Sequence, residues 1–112
     1  MGPRARHAGQ DVVVVLEHAV LQVRPGQEAD FEEAFERAKA IIASSPGFEG
    51  LRLGRCIEHE GRYVLLVEWS TLDAHIVGFR GSPGFGEWRR LLHHFYDPFP
   101  EVEHFEDVST VP

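Results

Sequence analysis

The chain has 112 residues, enough for one domain, and its 43% hydrophobic and 26% charged residues exclude a disordered chain. A formal net charge of −7, with the eleven Lys and Arg scattered and only Arg89-Arg90 adjacent, excludes the clustered positive face that nucleic acid requires. Cys56 is the lone cysteine, so no intrachain disulfide can form, and no apolar run approaches the roughly 18–20 residues that cross a bilayer.

Residues 1–11 hold Arg4, Arg6 and His7 but no apolar stretch, so they are read as a flexible leader, not a secretory signal. Val12 to Val23 is rich in Val and Leu and stops at the turn signal Arg24-Pro25-Gly26. It is apolar on both alternating faces, the pattern of a strand covered on both sides. From Gln27 to Ser44 the period changes. Phe31, Ala34, Phe35, Ala38, Ile41 and Ile42 recur at three- and four-residue steps among acidic residues, which predicts an amphipathic helix ended by Pro46-Gly47.

Phe48–Glu58 and Tyr63–Ser70 are predicted strands, joined by a short hairpin at His59-Glu60-Gly61-Arg62 where Gly61 supplies the bend. Cys56, within the first of them, reads as a small buried hydrophobe, compatible with a cytoplasmic location. Ser70-Thr71-Leu72-Asp73 resembles a capping box opening a short helix with Leu72, Ile76 and Phe79 on its buried stripe. Ser82 as N-cap and Pro83 at the first position restart a second helix with Phe85, Trp88, Leu91, Leu92 and Phe95 inward. Asp97-Pro98-Phe99-Pro100 breaks it, and Glu101–Val108 is a last strand, leaving 109–112 as a tail.

The order strand, helix, strand, strand, broken helix, strand predicts an α+β, ferredoxin-like β-α-β-β-α-β domain over residues 12–108. Its four-stranded antiparallel sheet carries both helices on one face. The other face has no element to cover it although the strands are apolar there. A homodimer through that helix-free sheet face is therefore expected, all the more because so short a chain buries little by itself.

Few residues carry chemistry on spacing alone. Gly81-Ser82-Pro83-Gly84-Phe85-Gly86 lacks the Lys of a phosphate-binding loop and reads as a helix break. Of the seven histidines, His93 and His94 point about 100° apart on a helix, and no H-x-x-x-H occurs. His18, His59 and His104 fall on strands or a turn, so a site could only be assembled in three dimensions, and no metal is expected. No serine stands in a nucleophile elbow. The aromatics say more. Trp69 ends a strand, and Phe79, Phe85 and Trp88 come from helices covering that end of the sheet, with Glu17, His75 and Arg80 nearby. Such a cluster is commonly plain core, but polar groups converging on an apolar cleft are also the makings of a small-molecule site.

Several segments fit together: Pro25-Gly26, Phe31-Glu32-Glu33-Ala34-Phe35, Pro46-Gly47-Phe48, Tyr63 to Ser70, Phe79-Arg80-Gly81-Ser82-Pro83-Gly84-Phe85, and Glu103-His104-Phe105. Over about residues 12–108 the chain resembles the antibiotic biosynthesis monooxygenase family of dimeric ferredoxin-like α+β barrels. The resemblance implies a substrate cleft between sheet and helices, and oxidation of aromatic polyketides or quinols by O₂ without a cofactor. In the haem-degrading branch an Asn, a Trp and a His do the work, and the matching positions here are Ala19, Phe79 and Arg89, so haem degradation is not expected. The resemblance implies Trp69 near the substrate. It leaves His75 or Glu17 as the base for a phenolic substrate and Phe79, Arg80, Phe85 and Trp88 as substrate-binding residues. A small-ligand-binding or stress-related dimer without catalysis is the alternative.

Overall fold

The computed structural model describes residues 14–112, so the expected leader and the first two residues of the first predicted strand lie outside the described residues. The elements follow the order β1 (Val15–Gln22), α1 (Glu28–Ala43), β2 (Phe48–Arg55), β3 (Arg62–Trp69), a π turn at Ala74–Phe79, α2 (Pro83–Leu92), a 3₁₀ turn at His93–Phe95, and β4 (Val102–Glu106). The sheet runs β2-β3-β1-β4 with every neighbouring pair antiparallel, which is the ferredoxin-like arrangement.

Strand alternation divides the side chains. Glu17, Ala19 and Leu21 of β1 and Tyr63, Leu65, Val67 and Trp69 of β3 all turn under the helices and are buried. The predicted stripe of α1 meets them with Phe31, Ala34, Phe35, Ala38 and Ile42. Phe31 is the hub, with Phe35, Tyr63, Phe95 and Tyr96 rings all within 4.9–6.0 Å of it. Rings meet edge-on or tilted, the geometry their quadrupoles favour.

On the opposite face Leu16, Val20, Val64, Leu66 and Phe105 form an apolar band, interrupted and flanked by His18, Gln22, Arg62, Glu68 and Glu103. Val20 and Phe105 remain about half exposed. The face is therefore apolar at its centre and polar at its margins, not apolar throughout.

Local chemistry departs from expectation in three places. Ser70 is not the cap of the π turn; Thr71 is, its hydroxyl accepting the Ala74 N–H at 3.0 Å. Ser82 does not cap α2 with its side chain, because its hydroxyl donates backward to the Phe79 carbonyl at 2.7 Å and closes the preceding turn. Cys56 lies beyond the end of β2 and is half-buried, its thiol 3.6 Å from Glu58.

The largest difference concerns which side of the π turn faces inward. Leu72 and Ile76 are exposed, while His75 and Phe79 are buried. The Arg80 N–H reaches back five residues to the His75 carbonyl, so the turn is one residue wider than an α-helical turn. Periodicity picks out the apolar side chains; the buried carboxylate beneath this turn needs a polar neighbour, and His75 supplies it. Gly47 holds the turn close, since a Cβ there would stand 2.5 Å from the Ala74 Cβ and its φ is +86°. Among the described residues no helix is long and apolar enough to cross a membrane.

Candidate functional site

Glu17 sits in the middle of β1 on the helix-covered face, where a carboxylate is costly unless it is satisfied. One hydrogen bond and one longer polar contact attend it, and a third group stands behind them. From β3, two residues diagonal to its cross-strand partner Val67, the Trp69 indole N–H donates to Glu17 Oε1 at 2.9 Å. From the π turn, His75 Nε2 approaches the same oxygen at 3.4 Å, a long contact for a hydrogen bond. From β4, His104 lies directly opposite Glu17 in the ladder, and its Nε2 is 2.8 Å from His75 Nδ1. Glu17 is 5% exposed and His75 3%.

The His75 ring is fixed as well as bonded. It stacks on Trp69 with centroids 5.1 Å apart and planes 15° from parallel, and Phe79 lies on the same stack at 6.4 Å from it. A ring so clamped presents its two nitrogens in set directions, one to Glu17 and one to His104.

Burial reverses the ordinary order of basicity. It raises the Glu17 carboxyl above the usual carboxylate value, against the Trp69 hydrogen bond and the Arg80 charge, which pull it down. Burial also lowers His75, to about 3, with Arg80 and His104 adding to the effect. His104 is lowered by burial and then by Arg80. Both histidines are thus neutral near pH 7, and a neutral imidazole that donates from one nitrogen accepts at the other.

Glu17 and His75 open onto a cavity of about 470 Å³ between the sheet and the second helical layer. That is the size of a small-molecule site. Ala19, Leu21, Leu65 and Val102, the β4 partner of Ala19, line it from the sheet, and Phe85, Trp88, Tyr96 and Phe99 add aromatic rings. Arg80 and His93 add polar groups, and burial lowers His93 from its ordinary value. A second hollow lies over Glu32, Arg55 and Tyr63, but those groups already bind one another: Glu32 accepts from Arg55 twice and from the Tyr63 hydroxyl at 2.6 Å. It holds no buried polar group in reserve for a ligand.

Of the residues singled out in the sequence, Glu17, His75, Arg80, Phe85 and Trp88 line the cavity together. Trp69 and Phe79 stand behind that lining, almost wholly buried, so Trp69 supports Glu17 and His75 instead of facing the space. His75 also departs from the near-neutral base its free imidazole would make, because burial holds it at about 3. Tyr96 and Phe99, from a Pro-broken segment without periodicity, also line the cavity, as does His93, which the sequence offers only as a helical histidine beside His94. His104, which the sequence places only on a strand, comes to the Glu17 side through the register of β4 against β1. Among the described residues no group of three or more His, Cys, Asp or Glu is placed to hold a metal ion.

The model of the antibiotic biosynthesis monooxygenase family matches residues 14–91. The uncharacterized protein YczJ of Bacillus subtilis is 50% identical over 95 residues, 85% of this chain and 100% of YczJ. A Bordetella bronchiseptica structure named for the antibiotic biosynthesis monooxygenases is 39% identical, with a TM-score of 0.82 over 87% of this chain and 99% of that one. SnoaB of Streptomyces nogalater, a cofactor-independent oxygenase, is 28% identical with a TM-score of 0.78, over 88% of this chain and 97% of SnoaB.

Proposed function

Because the chain belongs to the antibiotic biosynthesis monooxygenase family, we propose that it is a cofactor-independent monooxygenase acting on a small planar aromatic of phenolic or quinol type. One observation carries the reading: a buried carboxylate with raised basicity opens, beside a neutral histidine, onto an aromatic-walled cavity. Kinship with SnoaB, a cofactor-independent oxygenase, supports it.

The chemistry follows from what the cavity holds. Phe85, Trp88 and Phe99 offer aromatic surface to a planar ring, and Glu17 accepts the proton of a hydroxyl presented to it. Arg80 at the cavity lining balances the negative charge left on the substrate. The electron-rich anion then reduces O₂ directly. A C–O bond forms as the anion's electron pair passes to oxygen, the peroxide takes up a proton, and loss of water leaves a carbonyl. For a methylene carbon the balance is R₂CH₂ + O₂ → R₂C=O + H₂O, with no net proton consumed.

The apolar band of the helix-free sheet face fits pairing with a second copy, and the homodimer is part of this reading. Oxygen uptake with an anthrone or a naphthoquinol tests the function. Wild type should exceed the buffer rate, and Glu17→Gln should fall by about 10²–10⁴-fold, the usual size of a general-base contribution. If wild type oxidises no phenol of the panel faster than buffer, the enzyme reading yields to the small-ligand-binding one.

A further inference from the structure

We propose that Glu17, His75 and His104 form a proton relay that connects the floor of the cavity with the outside of the sheet edge, with His104 as its outer port. The inference rests on the reading of the cavity as a place where a hydroxyl is deprotonated, and it assigns a positioning and shuttling role to a residue that does not line the cavity.

The three groups stand in a row, joined by one hydrogen bond and one longer polar contact. Glu17 Oε1 is 3.4 Å from His75 Nε2, and His75 Nδ1 is 2.8 Å from His104 Nε2. Glu17 and His75 are almost wholly buried, whereas His104, on the edge strand β4, is only half-buried. The chain of contacts therefore begins in the cavity and ends toward solvent. The groups whose charge bears on His75 are Glu17 on β1, His104 on β4 and Arg80 after the π turn; β3 contributes Trp69, which does not titrate.

Two hydrogen-bond patterns are open to these groups with both rings neutral, once the 3.4 Å contact between Glu17 and His75 closes to hydrogen-bond length. With Glu17 ionised, His104 Nε2–H donates to His75 Nδ1, and His75 Nε2–H donates to Glu17. With Glu17 protonated, its O–H donates to His75 Nε2, and His75 Nδ1–H donates to His104 Nε2. The patterns differ by one proton. Passing from the second to the first moves the Glu17 proton to His75 Nε2, the His75 Nδ1 proton to His104 Nε2, and the His104 Nδ1 proton to water. Run backward, the same steps return a proton to the cavity for the peroxide and reset both rings.

The relay also resolves a difficulty in the site. Burial keeps His75 from holding a second proton until about pH 3, so it is a poor store for a proton. In the relay it never needs to be one, because each proton it accepts on one nitrogen leaves from the other.

The test has one arm that needs no turnover and one that does. In ¹⁵N-histidine, ¹³C-glutamate protein, the Glu17 carboxyl and the His75 and His104 ring nitrogens should titrate with one common midpoint as the tautomers invert together. A coupling across the His75–His104 hydrogen bond should also be visible. Independent midpoints, or no coupling, overturn the relay. For kinetics, His104→Gln keeps an amide N–H able to bond His75 but cannot shuttle. It should lower kcat by about 10²-fold with KM held, and in His104→Ala added imidazole should restore much of the loss. Full activity in His104→Gln, or no rescue, overturns the relay even if Glu17 is the base. The titration decides the relay even where no phenol is oxidised, a result that removes the functional reading instead.

Discussion

Substituting His75 should change how stability depends on pH, and the structure sets the size. His75 is 3% exposed, and burial takes its imidazole from an ordinary 6.5 down to about 3. Unfolding releases the ring into water, where it takes up a proton at its ordinary value. Its contribution to stability is therefore fully present above pH 6.5 and is lost as pH falls toward 3. At roughly 1.4 kcal/mol per pH unit, the full window is worth about 5 kcal/mol. That is a large part of the roughly 5–15 kcal/mol that holds a domain folded. Glu17 works in the other sense, because a raised carboxyl stabilises the protonated fold at low pH and loses that contribution as pH rises through its folded value. Glu17 is present in both proteins, so most of its own contribution cancels when wild type is compared with His75→Gln. Urea unfolding at one fixed protein concentration, between about pH 7 and pH 4, gives both curves. Below pH 6.5 the wild-type curve should fall relative to the variant by up to about 1.4 kcal/mol per pH unit. Parallel curves would mean that His75 is not held neutral by burial, and the account of the site would fail with it.

Trp88 lines the cavity and Trp69 does not, so a planar phenol should quench Trp fluorescence, and Trp88→Phe should lose more of that response than Trp69→Phe. An undiminished response in Trp88→Phe would put the ligand elsewhere. At micromolar concentration the protein should sediment as a dimer of the 12.7 kDa chain, and Leu66→Glu on the helix-free face should dissociate it. A lone 12.7 kDa species in wild type ends the dimer reading. Purified protein should carry no stoichiometric metal, flavin or haem by elemental analysis and visible spectrum. One equivalent of iron, copper or zinc surviving dialysis would contradict this.

The fold was legible because its signals are repetitive. The stripe from Phe31 to Ile42 has helical period, and the Val- and Leu-rich strands break at Pro25-Gly26 and Gly61, whose φ is +81°. The candidate site was legible only in part. Phe85 and Trp88 stand out as helix aromatics over the end of the sheet, Glu17 and Arg80 as polar groups near them, and all four line the cavity. The inward side of the π turn could not be read, because hydrophobic period favours Leu72 and Ile76 while Glu17 requires His75. His104 depends on strand register, which one sequence states weakly. Tyr96 and Phe99 come from a segment around Pro98 whose path has no period to follow.

In the proposed reaction the cavity beside Glu17 and His75 places one atom of O₂ on an aromatic substrate without a cofactor. Mass spectrometry of the product formed under ¹⁸O₂ tests it most directly. Wild type freed of metal and flavin should give a product carrying one ¹⁸O atom, faster than buffer alone, and Glu17→Gln should give little. Product forming only at the buffer rate, or gaining its oxygen from labelled water, would contradict the account.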